Sequence, residues 1–140
     1  MINGNHLPDS EMVLTFDEYP VIYKDFLETV DRIPDFTALS SSFGECSYRE
    51  LANVSHEIAN CLACNNVRTN DCVVIISDRN PGIIYALLGV LRAGAVFNIA
   101  DSAYPISRIL LTIKMIQPRL ILACGDVALP EESYLFYKRP

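Results

Sequence analysis

Apolar positions recur at two different periods along this chain, and each change of period marks an element. In "VIYKDFLETVDRIPD" Val21, Ile22, Phe26, Leu27 and Val30 stand at helical spacing and Pro34 stops the run, which predicts an amphipathic helix buried through those residues. "FTALSSSFGECSY" alternates weakly around Phe43-Gly44-Glu45, as two short strands joined by a turn do. Ser47-Tyr48-Arg49-Glu50 has the form of a capping box, in which the serine hydroxyl accepts from the N–H of Glu50 and the glutamate reaches back to the N–H of Ser47. A second helix therefore opens at Ser47, with Leu51, Val54, Ile58, Ala59 and Leu62 as its buried stripe and Asn65-Asn66 as its left-handed end.

From Cys72 the helical period gives way to "CVVIIS", a continuous apolar run of the kind that a strand covered on both faces requires, and this implies a parallel sheet. Asn80 is placed to cap the next helix, with Pro81 at its first position, where the missing N–H is not needed. Ile83, Ile84, Tyr85, Leu87, Leu88, Val90 and Leu91 ring that helix with apolar groups, so it should be almost wholly buried. Gly94 stands where the chain needs a positive φ before turning into the strand "AVFNIA". Asp101 to Pro105 then lead to a third helix of this layer, with Pro105 in its first turn and Ile106, Ile109, Leu110, Ile113 and Ile116 on one face. Pro118 ends it, and "RLILAC" is another buried strand. Residues 72–124 thus read strand, helix, strand, helix, strand with right-handed crossovers. The fold class is α/β: a parallel-sheet βαβαβ layer preceded by a helix and a short hairpin.

Composition narrows the function classes. The 140 residues suit one domain with a genuine core. Lys and Arg total 11 against 17 Asp and Glu, and the basic residues are scattered, so no nucleic-acid partner is expected. The apolar fraction is 51%, yet the longest nearly uncharged stretch, Pro81 to Leu91, is too short to span a bilayer, so no membrane partner is expected either. The start "MINGNHLPDSEM" lacks a basic region followed by an apolar run, and five irregularly spaced cysteines fit reduced thiols, so the expected location is the cytoplasm.

The turn after the first parallel strand, "SDRNPG", holds one glycine where a dinucleotide fingerprint needs three, and no Walker sequence occurs. Two other signatures, taken in order, resemble a family. "CSYREL" at a helix start and "LRAGAVFNIADSAYP" after a buried helix are similar to the first two core motifs of adenylate-forming enzymes, especially the amino-acid adenylation domains of nonribosomal peptide synthetases; aminoadipate reductases carry similar domains. The resemblance runs from about Phe36 to Cys124 and takes in "VVIISDRNPGIIYALLGV". Within the second motif Leu91, Ala93, Gly94, Ala95, Phe97, Asp101, Ala103, Tyr104 and Pro105 match, whereas Asn98, Ile99 and Ser102 depart from it, the last two where the family usually has proline.

The resemblance implies a parent enzyme in which a carboxylate attacks ATP to give an acyl-adenylate and pyrophosphate, with transfer to a phosphopantetheine thiol. Its cofactors would be ATP and Mg²⁺, and its partners the remainder of the adenylation domain and a carrier-protein domain. The family's phosphate loop, acidic nucleotide motifs and catalytic lysine lie downstream of the matched region, and the glycines at 4, 44, 82, 89, 94 and 125 form no such loop. The chain is therefore expected to be an N-terminal piece: residues 1–15 a tail, 16–126 a partial adenylation domain, 127–140 a second tail. It is expected to act as scaffold and to contribute no catalytic, cofactor-binding or metal-binding residue. A free-standing interaction module derived from such a domain and a piece of an acyl-CoA ligase are the alternatives.

Individual residues carry bland readings beside sharper ones. Cys61 and Cys64 have metal-ligand spacing but lie on a helix with no second pair, which favours packing or surface thiols. His56 has polar neighbours and reads as exposed, and His6 belongs to the tail. Asp101 follows a parallel strand on the side where α/β sheets place ligands, and a turn hydrogen bond is its expected role; Asp78 and Arg79 are expected to solvate the preceding turn.

Overall fold

The core is built on one strand. The computed structural model describes residues 22–125 and 127. Within them α1 (Ile22–Arg32), β1 (Thr37–Ser41), β2 (Gly44–Ser47), α2 (Tyr48–Cys64), β3 (Cys72–Ser77), α3 (Gly82–Arg92), β4 (Val96–Asp101), α4 (Ile106–Ile116) and β5 (Leu120–Cys124) follow in order. Strand β3 lies in the middle of a three-stranded sheet of order β4-β3-β5, parallel to both neighbours, with Ile75 opposite Ile99 on one side and Leu122 on the other. Its residues Val73 to Ile76 are fully buried because helices cover both faces. Alternation sends Val73 and Ile75 toward Ala86 and Val90 of α3, and Val74 and Ile76 toward Ile109 and Ile113 of α4. The chain steps from β3 to β4 in one direction and from β4 to β5 in the other, so crossovers of one hand put α3 and α4 on opposite faces.

The expected caps are present. Ser47 Oγ accepts from the Glu50 N–H at 3.2 Å, and Glu50 Oε2 accepts from the Ser47 N–H at 2.8 Å, completing the box at the start of α2. The Ser47 N–H and hydroxyl hold the Glu50 carboxyl below its ordinary value. The stabilisation is accordingly present at neutral pH and fades as pH falls through the lowered folded value. Helix α2 closes on Asn66 at φ 60, where Val67 N–H donates to Leu62 O and Asn66 N–H to Ala63 O. Helix α3 closes in the same way on Gly94 at φ 69, with Ala95 N–H to Val90 O and Gly94 N–H to Leu91 O. A Cβ on Gly94 would stand 3.2 Å from Thr69 Oγ1 in addition to occupying a left-handed backbone. Gly94→Val is thus expected to lose about 1 kcal/mol or more, roughly 4 °C in melting temperature; an unchanged thermal melt would contradict the terminator role.

Three expectations change. Helix α3 is not almost wholly buried: Ala86, Leu88, Gly89 and Val90 are buried, whereas Ile83, Ile84, Tyr85, Leu87 and Leu91 are half-buried. The buried face of α1 is carried by Tyr23 with Phe26 behind it, while Ile22 is 67% and Leu27 36% exposed; Val21 lies outside the described residues. The wheel allows both faces, and polar contacts decide between them. Arg92 Nη1 donates to the Tyr23 hydroxyl at 2.8 Å, that hydroxyl lies 3.3 Å from Ser55 Oγ, and an aliphatic residue satisfies neither. Pro105 precedes α4 with an extended ψ of 137° instead of entering its first turn. Ile106 is consequently 59% exposed, and the buried stripe of α4 begins at Ile109. The expected tails, the onset of order at Phe16 and His6 fall outside the described residues. No described helix is long and apolar enough to cross a membrane.

Candidate functional site

The carboxyl ends of β3, β4 and β5 are where a sheet of this topology presents groups to a ligand, because the loops leaving β3 and β4 part toward opposite faces. At the end of β3 the chain passes through Arg79 in a left-handed conformation, φ 64, which a non-glycine residue adopts only when its surroundings hold it there. Arg79 Nε donates to Asp101 Oδ2 at 3.3 Å, tying the end of β3 to the end of β4. The Ala103 N–H donates to Asp101 Oδ1 at 2.9 Å, and this bond, with the Arg79 contact second, holds the Asp101 carboxyl below the usual range. Asp101 is therefore the turn residue expected, with a cationic partner that its sequence neighbours do not reveal.

Asn80 joins the other side of this end. Its Oδ1 accepts from the Gly82 N–H at 2.6 Å, capping α3 as its position predicts; helical dihedrals already hold at Pro81. Its Nδ2 donates to Cys124 O at 3.0 Å at the end of β5 and also to Asp78 Oδ1. One amide thus links the loop after β3, the start of α3 and the end of β5. Asp78 accepts from Asn80 instead of merely solvating its turn.

Beside this brace lies a cleft of about 520 Å³ between the β1–β2 hairpin, the start of α3 and the ends of β3 and β5. Leu39 and Phe43 of the hairpin segment line it with Pro81, Tyr85 and Asp78, and among the described lining residues there is no lysine or arginine; Glu45 borders it from β2, but its register opposite Ser40 turns its carboxylate to the hairpin's other face, toward Thr37. The neighbouring Cys46 thiol, with burial second, raises the Tyr85 hydroxyl above its ordinary value. Burial, reinforced by Asp78, pushes the Cys124 thiol up, the opposite of what a nucleophilic cysteine needs. Ser77 Oγ is buried with no hydrogen-bond partner among the described residues.

At this end the Gly82 N–H is taken by Asn80, and Arg79 Nε is drawn to Asp101 while the rest of that side chain stays exposed. Cys61 is half-buried and Cys64 exposed, and among the described residues no cluster of three or more metal-ligating side chains forms. His56 is exposed, with Nε2 3.2 Å from Asn60 Nδ2 on the next turn. The cleft was not legible in the sequence, since its walls come from segments some 40 residues apart.

A family model described as AMP-binding enzyme matches residues 26–135. The chain is 25% identical over 142 aligned positions to L-2-aminoadipate reductase of Schizosaccharomyces pombe (strain 972 / ATCC 24843), an alignment covering 95% of this chain and 10% of that protein. It is 31% identical over 108 positions to bacitracin synthase 3 of Bacillus licheniformis, covering 76% and 2% respectively. The solved N-terminal subdomain of Klebsiella oxytoca NpsA superposes with a TM-score of 0.71 at 27% identity, over 78% of this chain and 29% of that one. The chain spans a tenth or less of the length of these two curated relatives.

Proposed function

The chain belongs to the AMP-binding enzyme family, and from that premise we propose that it is the N-terminal scaffold of a domain that activates an amino or other carboxylic acid with ATP. Its α/β layer has the fold of the N-terminal subdomain of an adenylation domain. In the proposed reaction the substrate carboxylate oxygen attacks the α-phosphorus of ATP. The bond to the β-phosphate bridging oxygen breaks, and pyrophosphate leaves an acyl-adenylate. The thiol of a phosphopantetheine arm on a carrier-protein domain then displaces AMP to give a thioester. The groups that stabilise charge on the transferring phosphorus come, in this reading, from other parts of the parent domain.

The observation that carries the scaffold role is the self-sufficiency of the carboxyl end of the sheet. Arg79 is bonded to Asp101, and Asn80 is bonded to Gly82, Asp78 and Cys124, so these groups brace three parallel strands. Purified chain supplied with ATP, Mg²⁺ and each proteinogenic amino acid is expected to give no carboxylate-dependent exchange of radiolabelled pyrophosphate into ATP. Exchange above the protein-free blank with any amino acid would place catalytic groups in this segment and overturn the proposal.

A further inference from the structure

We propose that the outward face of α4 docks an amphipathic helix of another protein or domain, one whose apolar ridge is flanked by Asp and Glu. The inference rests on the chemistry of α4 and does not depend on the adenylation reading. Helix α4 covers its side of the sheet through Ile109 and Ile113, while α1 and α2 pack with α3 on the other side. Its outward face carries Leu111, 56% exposed, and Met115, 76% exposed, one turn apart. Helical spacing sets Arg108 and Lys114, three residues before and after Leu111, on either side of that ridge.

The charge on this face has one sign. Helix α4 holds no Asp or Glu, in a chain where 17 acids face 11 Lys and Arg. Among the described residues neither Arg108 nor Lys114 forms a salt bridge. The Arg108 guanidinium carbon sits 4.3 Å from the centre of the Tyr104 ring, which holds the cation beside the ridge without neutralising it. These charges select the occupant. A second copy presenting its own α4 would set like cations together, and an anionic bilayer would repel a chain of net charge -6. A helix with carboxylates flanking a leucine ridge answers both the apolar pair and the cations, as the flanking positions of a two-helix seam do. The 11 residues of α4 give a face about 16 Å long, well short of the roughly 800 Å² per partner of a standard interface. The contact is therefore weak and reversible.

Fluorescence anisotropy on the full chain tests this with a labelled synthetic helix that carries leucine at its seam positions and glutamate at the flanking ones. The same helix with lysine in place of glutamate is its counterpart. The glutamate helix is expected to bind saturably with a dissociation constant of about 100 μM, and the lysine helix about tenfold more weakly. Leu111→Ser, Met115→Ser and Lys114→Glu should each weaken the glutamate helix severalfold. All three side chains are exposed, so the thermal melts of these variants should match the parent's. Lys24→Glu, which reverses an exposed cation on α1, should leave binding unchanged. Equal binding of the two helices, no saturable binding, unchanged binding in Leu111→Ser or Lys114→Glu, or equal weakening in Lys24→Glu would each overturn the proposal. Recruitment of the chain to phosphatidylserine vesicles that Leu111→Ser abolishes would assign the face to a membrane instead. Self-association in sedimentation velocity that Leu111→Ser abolishes would assign it to a second copy, and either result overturns the acidic helix as occupant.

Discussion

Gly89→Val is expected to destabilise the chain by about 3 kcal/mol, the upper part of the range for overpacking a filled interior. Gly89 is buried on α3 where that helix meets α2. A Cβ built there would lie 2.6 Å from Ile58 Cβ, closer still to Ile58 Cγ2, and 3.3 Å from the Ser55 carbonyl oxygen. Two of those atoms are tied to the α2 backbone, so relief requires moving α2 off α3 and opening the cluster of Leu62, Ala86 and Val90. Gly89→Ala adds the same Cβ but gains roughly 1 kcal/mol of helix propensity, so its net loss should be smaller. Urea midpoints measure both, and the alanine loss should shrink further in an Ile58→Ala background, as coupling between touching side chains requires. A valine variant with the parent midpoint would show that α2 and α3 do not meet at this glycine.

Asn80→Leu is expected to lose about 2 kcal/mol, near 1 for the α3 cap and near 1 for the bond to Cys124 O. The substitution nearly preserves volume, so the loss reports polar contacts. Asn80→Ser keeps an acceptor for the Gly82 N–H but cannot donate to β5, and should recover about half. Asn80→Asp keeps the acceptor, loses the donor and sets a carboxylate beside Asp78. At neutral pH it should be the least stable of the series, improving as pH falls and one acid of the pair is protonated. Denaturant unfolding at two pH values distinguishes the variants; a leucine variant within about 0.5 kcal/mol of the parent would remove Asn80 from its bracing role.

The layered fold was legible because its signals are local. "CVVIIS" and "RLILAC" are apolar on both faces, Ser47 and Glu50 stand at box spacing, and Gly94 follows a helical run, each within a few residues. What escaped was decided by partners far along the chain. Tyr23 defeats Ile22 for the core because Arg92 donates to its hydroxyl and Ser55 lies within hydrogen-bond reach of it, contacts that no helical wheel displays. Asn80 can be read as a cap, but its bond to Cys124 spans 44 residues. Gly89 is silent in sequence, since only the position of Ile58 on another helix makes its missing side chain necessary. The cleft was missed for the same reason: the hairpin's alternation predicts a turn at Phe43 and says nothing of what the turn overhangs.

The central place of β3 also leads us to expect an order of assembly. Ile75 must meet Ile99 on one flank and Leu122 on the other, and the second partner is drawn back from nearly twice as far along the chain. Each doubling of a closed loop adds only about 0.6 kcal/mol of entropy, yet β5 also has to wait until α4 has been placed across the opposite face. During synthesis β3, α3 and β4 can dock as a unit while β5 is still emerging, so the last seam to close is the one that Asn80 then bridges.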